Sequence, residues 1–263
     1  MRAFASLSAI SLVLAAPAPA AAPRRVASLN LCTDELVLAL AAPGQIVSVT
    51  HLARQEAETP LWRQARLYPR NDGSLLSVAG LRPDLVVTMG GGARDRLRIA
   101  RRLGIRTLDL PFAQSLGDVA DGIARVALAL GRPAAGRALL QRMAALIRSA
   151  PSGRRDSIWL GGGGRTVSAT GLEAQWMALA GMRQRAMAGD RVALETLIVR
   201  PPAVLLRSDY RQGQYSNQQR WLSHPAAAMA RGGRRIATDG RLWTCMGPLL
   251  IDEIYRIRRE IAG

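Results

Sequence analysis

The sequence predicts an α/β fold built as two lobes of similar plan, and three observations carry that prediction. The first is a repeated unit. Leu81-Arg-Pro-Asp-Leu-Val-Val-Thr-Met89 and Val199-Arg-Pro-Pro-Ala-Val-Leu-Leu-Arg207 each follow an apolar, helix-like run (Leu75 to Leu81, Val192 to Val199). In both, the proline forbids helix continuation and pushes the preceding residue towards extended geometry. The second is the pair of runs Leu85-Val86-Val87 and Val204-Leu205-Leu206, too short and too uniformly apolar to be half exposed, which read as buried strands of parallel sheets. The third is a stretch of roughly 35 mid-chain residues with helical periodicity and no strand, placed to connect two lobes. One large α/β domain with two chance Arg-Pro pairs is the competing arrangement.

Taken in order, residues 1–22 read as a cleavable signal peptide. Arg2 precedes the apolar run Phe4 to Ala16, and Pro17-Ala-Pro-Ala-Ala-Ala22 supplies small residues for cleavage. The run is shorter than a membrane span needs. Residues 23–114 form the first lobe. Val26–Asn30 is a strand, and Thr33 can cap a helix over Asp34–Ala41, with Asp34 and Glu35 suiting its positive end. Ile46–Thr50 is the second strand, Glu56–Arg66 a polar helical segment and Tyr68–Gly73 a loop. The Leu75–Leu81 helix, the Leu85–Met89 strand, a basic helix from Asp95 to Leu103 and the Ile105–Leu110 strand complete about four parallel strands.

Residues 115–152 form the helical connector. Ser115 caps one helix, Gly131 ends it, and Pro133 opens the next, which runs to about Ser149. Residues 153–263 form the second lobe. It has strands at Ser157–Leu160, Ala203–Leu206 and Arg234–Thr238, helices at Leu172–Ala180 and Val192–Val199, and a terminal helix over Leu249–Ile261.

A net charge of +17 suggests nucleic acid, but every basic residue is arginine. These arginines are scattered and lack interleaved aromatics, and an exported chain meets little nucleic acid. A solvated basic surface is the better reading. Gly161–Gly164 lacks the Gly-Lys-Ser/Thr of a phosphate loop. There is no Ser/His/Asp set, paired carboxylate motif or zinc spacing, so the sequence makes no positive case for an enzyme.

In open parallel sheets ligands bind at the carboxyl ends of strands. The loops there hold polar and aromatic residues: Asn30, Cys32, His51, Tyr68, Asn71, Met89, Arg94, Tyr210, Tyr215, Trp243 and Cys245. Trp159 and Trp176 fall at strand and helix positions and read as core, while His224 before Pro225 reads as a capping or packing residue. For Cys32 and Cys245 three states stay open: a disulfide that would clamp the cleft, two buried free thiols, or contact with a ligand or metal, in which thiolate and the His51 imidazole would suit a soft metal.

Ser28-Leu-Asn-Leu-Cys-Thr-Asp-Glu-Leu36, Leu81-Arg-Pro-Asp-Leu-Val86, Leu103-Gly-Ile105 and the mid-chain helix together resemble the periplasmic binding proteins for cobalamin and for ferric siderophores or haem. The resemblance covers about residues 25 to 262. It implies two Rossmann-like three-layer lobes joined by a single long helix, with the ligand held between them and little closure motion. It also implies a periplasmic monomer serving an ABC permease and its ATPase. No resident cofactor is expected, since the cobalt or iron chelate would be cargo. A corrinoid is the first expectation and a ferric siderophore or haem the second; Arg54, Arg70 and Arg94 favour an anionic siderophore. Trp243 and Tyr210 are the candidates for stacking on a macrocycle. The family docks through one carboxylate per lobe. Glu195 matches in the second lobe, but the first-lobe position falls near Leu76, so Asp72 or Asp95 would have to substitute. From other classes, an exported chelatase-like enzyme would turn over a tetrapyrrole, and a sensory module would not stimulate the transporter ATPase.

Overall fold

Strand β1 (Val26–Ser28) runs into helix α1 (Leu31–Leu40) through Asn30, whose side-chain oxygen accepts from the Cys32 amide at 2.8 Å. The expected cap was Thr33. Asn30 stands three residues earlier with extended backbone and an acceptor of the right reach, so the helix begins there. Thr33 instead lies inside the helix, fully buried and bonded to the Ser28 hydroxyl at 2.7 Å. The first lobe continues with β2 (Ile46–Thr50), the short helix α2 (Trp62–Ala65), β3 (Arg70–Asn71), α3 (Leu75–Ala79), β4 (Leu85–Met89), α4 (Arg94–Arg102) and β5 (Arg106–Leu110). Its strands form a five-stranded parallel sheet in the order β3-β2-β1-β4-β5. The edge pairing of Arg70–Asn71 falls where the sequence reads as loop, because two polar residues carry no strand periodicity.

The connector is α5 (Leu116–Ala129) followed by α6 (Pro133–Arg148). Gly131 takes φ 67°, the left-handed conformation that ends helices, and Pro133 restarts the chain. α6 turns back and packs on α5, with Gly136 so close to Ala127 that a Cβ there would lie 2.4 Å from the alanine methyl. Ser115 and Asp118 form a reciprocal capping box at the start of α5, as its sequence suggests.

The second lobe comprises β6 (Arg155–Leu160), α7 (Leu172–Leu179), β7 (Met182–Gln184), α8 (Leu194–Val199), β8 (Val204–Asp209), β9 (Arg234–Asp239) and α9 (Leu250–Ala262), with a four-stranded parallel sheet in the order β7-β6-β8-β9. The computed structural model describes residues 21–90, 94–209, 224–225 and 233–263. The repeated Arg-Pro units occupy equivalent places: each follows a short helix (α3, α8) and leads into a central strand (β4, β8).

Each sheet buries both faces. In the first, Val26, Leu85 and Val87 face one side, and Ala27 and Val86 face the other with Leu75, Val78 and Ile105. In the second, Val204 and Leu206 face inwards, while Ile158, Leu160 and Leu205 pack outwards with Val192 and Leu197. The inner faces do not form separate cores. One continuous apolar cluster runs from Val26 and Val37 through Val119, Ile123 and Val126 of α5 to Trp176, Ile251 and Ile254 of the second lobe. The two lobes are thereby sides of one structure. Residues 1–20, assigned above to a signal peptide, lie outside the described residues, and no described helix is long and apolar enough to cross a membrane.

Candidate functional site

In the first sheet the chain steps outwards from β1 to β2 and β3, then returns to place β4 on the other side of β1. In the second it steps from β6 to β7, then returns to place β8 beside β6. Each reversal leaves a crevice outside the carboxyl ends of two adjacent strands, where an open α/β sheet binds its ligand. The crevice lies outside the ends of β1 and β4 on one lobe, and outside the ends of β6 and β8 on the other.

The two rims are joined covalently. Cys32, at the start of α1, and Cys245, beyond β9, form a disulfide with Cα atoms 5.1 Å apart. Neither cysteine is a thiol, so the thiolate–His51 metal site considered from the sequence is ruled out. His51 is exposed, its Nδ1 3.3 Å from the Asn71 carbonyl, and the described residues contain no cluster of three or more His, Cys, Asp and Glu able to hold a metal. A noncovalent bridge runs beside the disulfide. Arg241, gripped by the Asp239 carboxylate (Nε to its oxygens 2.9 and 3.0 Å), donates from Nη1 to the Glu56 carbonyl of the other lobe at 2.6 Å.

On the second lobe, Trp159, Gly161, Gly162, Ser208, Gly240 and Trp243 surround a pocket of about 230 Å³ at the switch point. The indoles of Trp159 and Trp243 meet edge to face, centroids 6.4 Å apart. Trp243 is held by a 2.9 Å bond from Nε1 to the Thr238 hydroxyl. Gly161 lets the Trp159 ring lie against the backbone, since a Cβ there would come within 2.7 Å of it. Trp159 is thus a half-buried wall of the pocket, not the core residue expected, whereas Trp176 is fully buried. The signal available was its position, the penultimate residue of a strand that ends at a switch point. A second, smaller cavity of about 60 Å³ lies between the lobes, lined by Cys32, Met89, Leu110, Val119, Cys245 and Pro248.

The other candidates divide. Asn71 is buried and committed to the fold, donating to the Ser28 carbonyl (2.9 Å) and the Ser48 hydroxyl (2.8 Å) and accepting from the Gly73 amide. Tyr68 is half-buried against the core. Arg94 is the first residue of α4. Tyr210 and Tyr215 lie outside the described residues. Glu195 is exposed in the first turn of α8, and its counterpart Leu76 on α3 is 86% exposed.

Sequence reasoning took Asp34 and Glu35 as dipole partners of a helix start, but both are buried. Asp34 accepts from the Thr50 amide (3.2 Å) and hydroxyl, yet burial still pushes its carboxyl up to about 7. Glu35 faces Gly247 of the other lobe, with neither oxygen hydrogen-bonded; the Thr59 hydroxyl lies near but outside bonding geometry. Burial, reinforced by the neighbouring Asp34 charge, pushes Glu35 up to about 8.

The comparisons agree with this architecture. The periplasmic binding protein family model matches residues 26–230. No curated protein shows significant sequence similarity to the chain. Among solved structures, the periplasmic haem-binding protein RhuT from Roseiflexus sp. RS-1 is 24% identical with a TM-score of 0.66, over 90% of this chain and 99% of that one. The periplasmic vitamin B12 binding protein BtuF of Vibrio cholerae is 18% identical (TM-score 0.63; 91% and 97% covered). The siderophore binding protein BauB is 12% identical (TM-score 0.69; 92% and 94% covered). These likenesses establish the fold of paired parallel-sheet lobes, and the match of the family model over most of the chain establishes that this protein belongs to the periplasmic binding protein family.

Proposed function

We propose that the protein is an extracytoplasmic receptor that holds a metal chelate between its lobes and delivers it to an ABC importer. The observation that carries this reading is the opposition of two switch-point crevices across a short, bridged gap, one of them walled by Trp159 and Trp243. The half-exposed Trp159 indole, backed edge to face by the buried Trp243, suits the flat, apolar face of a macrocycle. A corrinoid is the first ligand to test. The second reading, haem or an anionic siderophore, draws support from Arg54: its Nε is buried without an acceptor in the loop after β2, beside the Glu56 bridge, and would suit a ligand carboxylate.

Titration of the purified protein with cyanocobalamin, haem and a ferric siderophore, followed by absorbance, tests this. One of the three is expected to bind at one equivalent and be recovered unchanged. Uptake of none refutes the receptor reading, and catalytic turnover of a tetrapyrrole would replace it with an enzyme.

Docking to the importer belongs to the same reading. Glu195 offers an exposed carboxylate on the second lobe, whereas the first lobe presents Leu76. Such an interface is asymmetric, charged at one end and apolar at the other. Glu195→Ala is expected to weaken binding to the reconstituted importer by roughly tenfold or more, with ligand affinity unchanged. Equal binding by both proteins excludes Glu195 as a docking residue.

A further inference from the structure

The sheet order sets out the contacts between the lobes along one line. Connector α5 packs beside β5 at one end of the first sheet. The disulfide stands at the carboxyl end of β1, in the middle, and Glu56, which Arg241 reaches, follows β2 on the far side. A two-lobed protein hinged on its connector opens widest at the rim furthest from it. Here that rotation would have to stretch a covalent bond before it reached the Arg241–Glu56 contact. The packing around the bond is equally close: Gly247 sits against Glu35, and the Trp176 indole donates to the Met246 carbonyl at 3.0 Å, tying the Cys245 loop to the second-lobe core.

We propose that the Cys32–Cys245 bond is a staple that fixes the width of the ligand cleft, and that Arg241 bridging to Glu56 is the latch that parts first once the staple is reduced. The oxidised protein then takes its ligand into a gap that is already formed, and specificity follows from that fixed width instead of from closure around the ligand. A preformed gap spends no binding energy on ordering the lobes. Reduction would hand the hinge back to α5. The two cysteines are thus positioning residues, which hold the walls of the cleft at their spacing. The conformational part of this proposal stands on the apo protein alone; the ligand part rests on the receptor reading.

The test compares deuterium exchange of the apo protein in three states: oxidised, reduced with a phosphine under native conditions, and reoxidised. Reduction is expected to speed exchange about tenfold or more at residues 54–58 and 241–246 while β4 and β8 keep their protection, and reoxidation to reverse it. Unchanged exchange at both segments overturns the proposal. So does acceleration spread equally over β4 and β8, which would make the bond a general stabiliser. For the ligand part, haem and cyanocobalamin are titrated into the oxidised protein and into the Cys32→Ser/Cys245→Ser variant, its fold checked by circular dichroism. The probe that binds is expected to lose about tenfold in affinity in the variant, and equal affinities overturn the staple's role in binding. If neither probe binds the oxidised protein, a ferric siderophore takes their place in the same comparison; if it too is not taken up the receptor reading fails, and the exchange experiment still decides the staple.

Discussion

Replacing Cys32 and Cys245 by serine is expected to lower the free energy of unfolding by about 2–5 kcal/mol. The bond joins residues 213 apart in sequence, so in the unfolded chain it closes most of the protein into one loop. Removing it restores conformational entropy to the unfolded state, and the gain grows with the length of the loop released. The native state loses a second constraint, because the cysteine loops carry the contacts of both rims. Since one apolar cluster runs through both lobes and α5, the variant is expected to unfold in a single transition at lower denaturant concentration, not to shed one lobe first. Urea melts of the oxidised protein and the double variant measure this. A difference below about 0.5 kcal/mol, a size typical of surface substitutions, would mean that non-covalent packing alone holds the lobes together.

Glu35 sets the other large effect, and its sign is the reverse of that of an ordinary paired carboxylate. Its carboxyl, ordinarily near 4.5, is raised to about 8 in the folded protein, so the fold binds a proton that the unfolded chain has released. The favourable contribution is complete below about pH 4.5 and disappears as pH rises through 8. Within that window it changes by about 1.4 kcal/mol per pH unit at most. Asp34, raised to about 7, acts with the same sign. Glu35→Gln keeps the shape and removes the charge. It is expected to stabilise the protein at pH 8 by on the order of 2–3 kcal/mol and to leave it nearly unchanged at pH 5. Denaturant melts of both proteins at the two pH values give the comparison. Parallel pH profiles would mean that Glu35 is solvated or paired in solution.

Much of the fold is legible because local rules and tertiary packing agree. The Arg-Pro units mark the two central strands, the Ser115–Asp118 box marks the start of α5, and Gly131-Arg-Pro133 marks the turn into α6. The strands that escape notice, Arg70–Asn71 and Met182–Gln184, are the outermost strands of their sheets. They are too short and too polar for alternation to register, and only a neighbouring strand's free backbone groups call them into being. The candidate site divides in the same way. Trp243 and the two cysteines stand out in the sequence as unusual residues beyond strand ends, and the structure places Trp243 in the core behind Trp159 and the cysteines in a disulfide between the rims. Asn71 could not be told apart from them, because an asparagine that closes a turn and one that meets a ligand look identical in sequence.

By itself, the sequence determined that there are two parallel α/β lobes, a helical connector between them, and loops at their strand ends that carry the unusual side chains. Periodicity, proline and glycine are local signals, and they act over a few residues. The tertiary structure alone decided that Cys32 bonds Cys245, that Glu35 is sealed against Gly247, and that Trp159 belongs to a pocket wall while Trp176 belongs to the core. Each of these depends on the distance between segments far apart in the chain. That distance is fixed by how two sheets pack about a shared apolar core, a property no short stretch of residues contains.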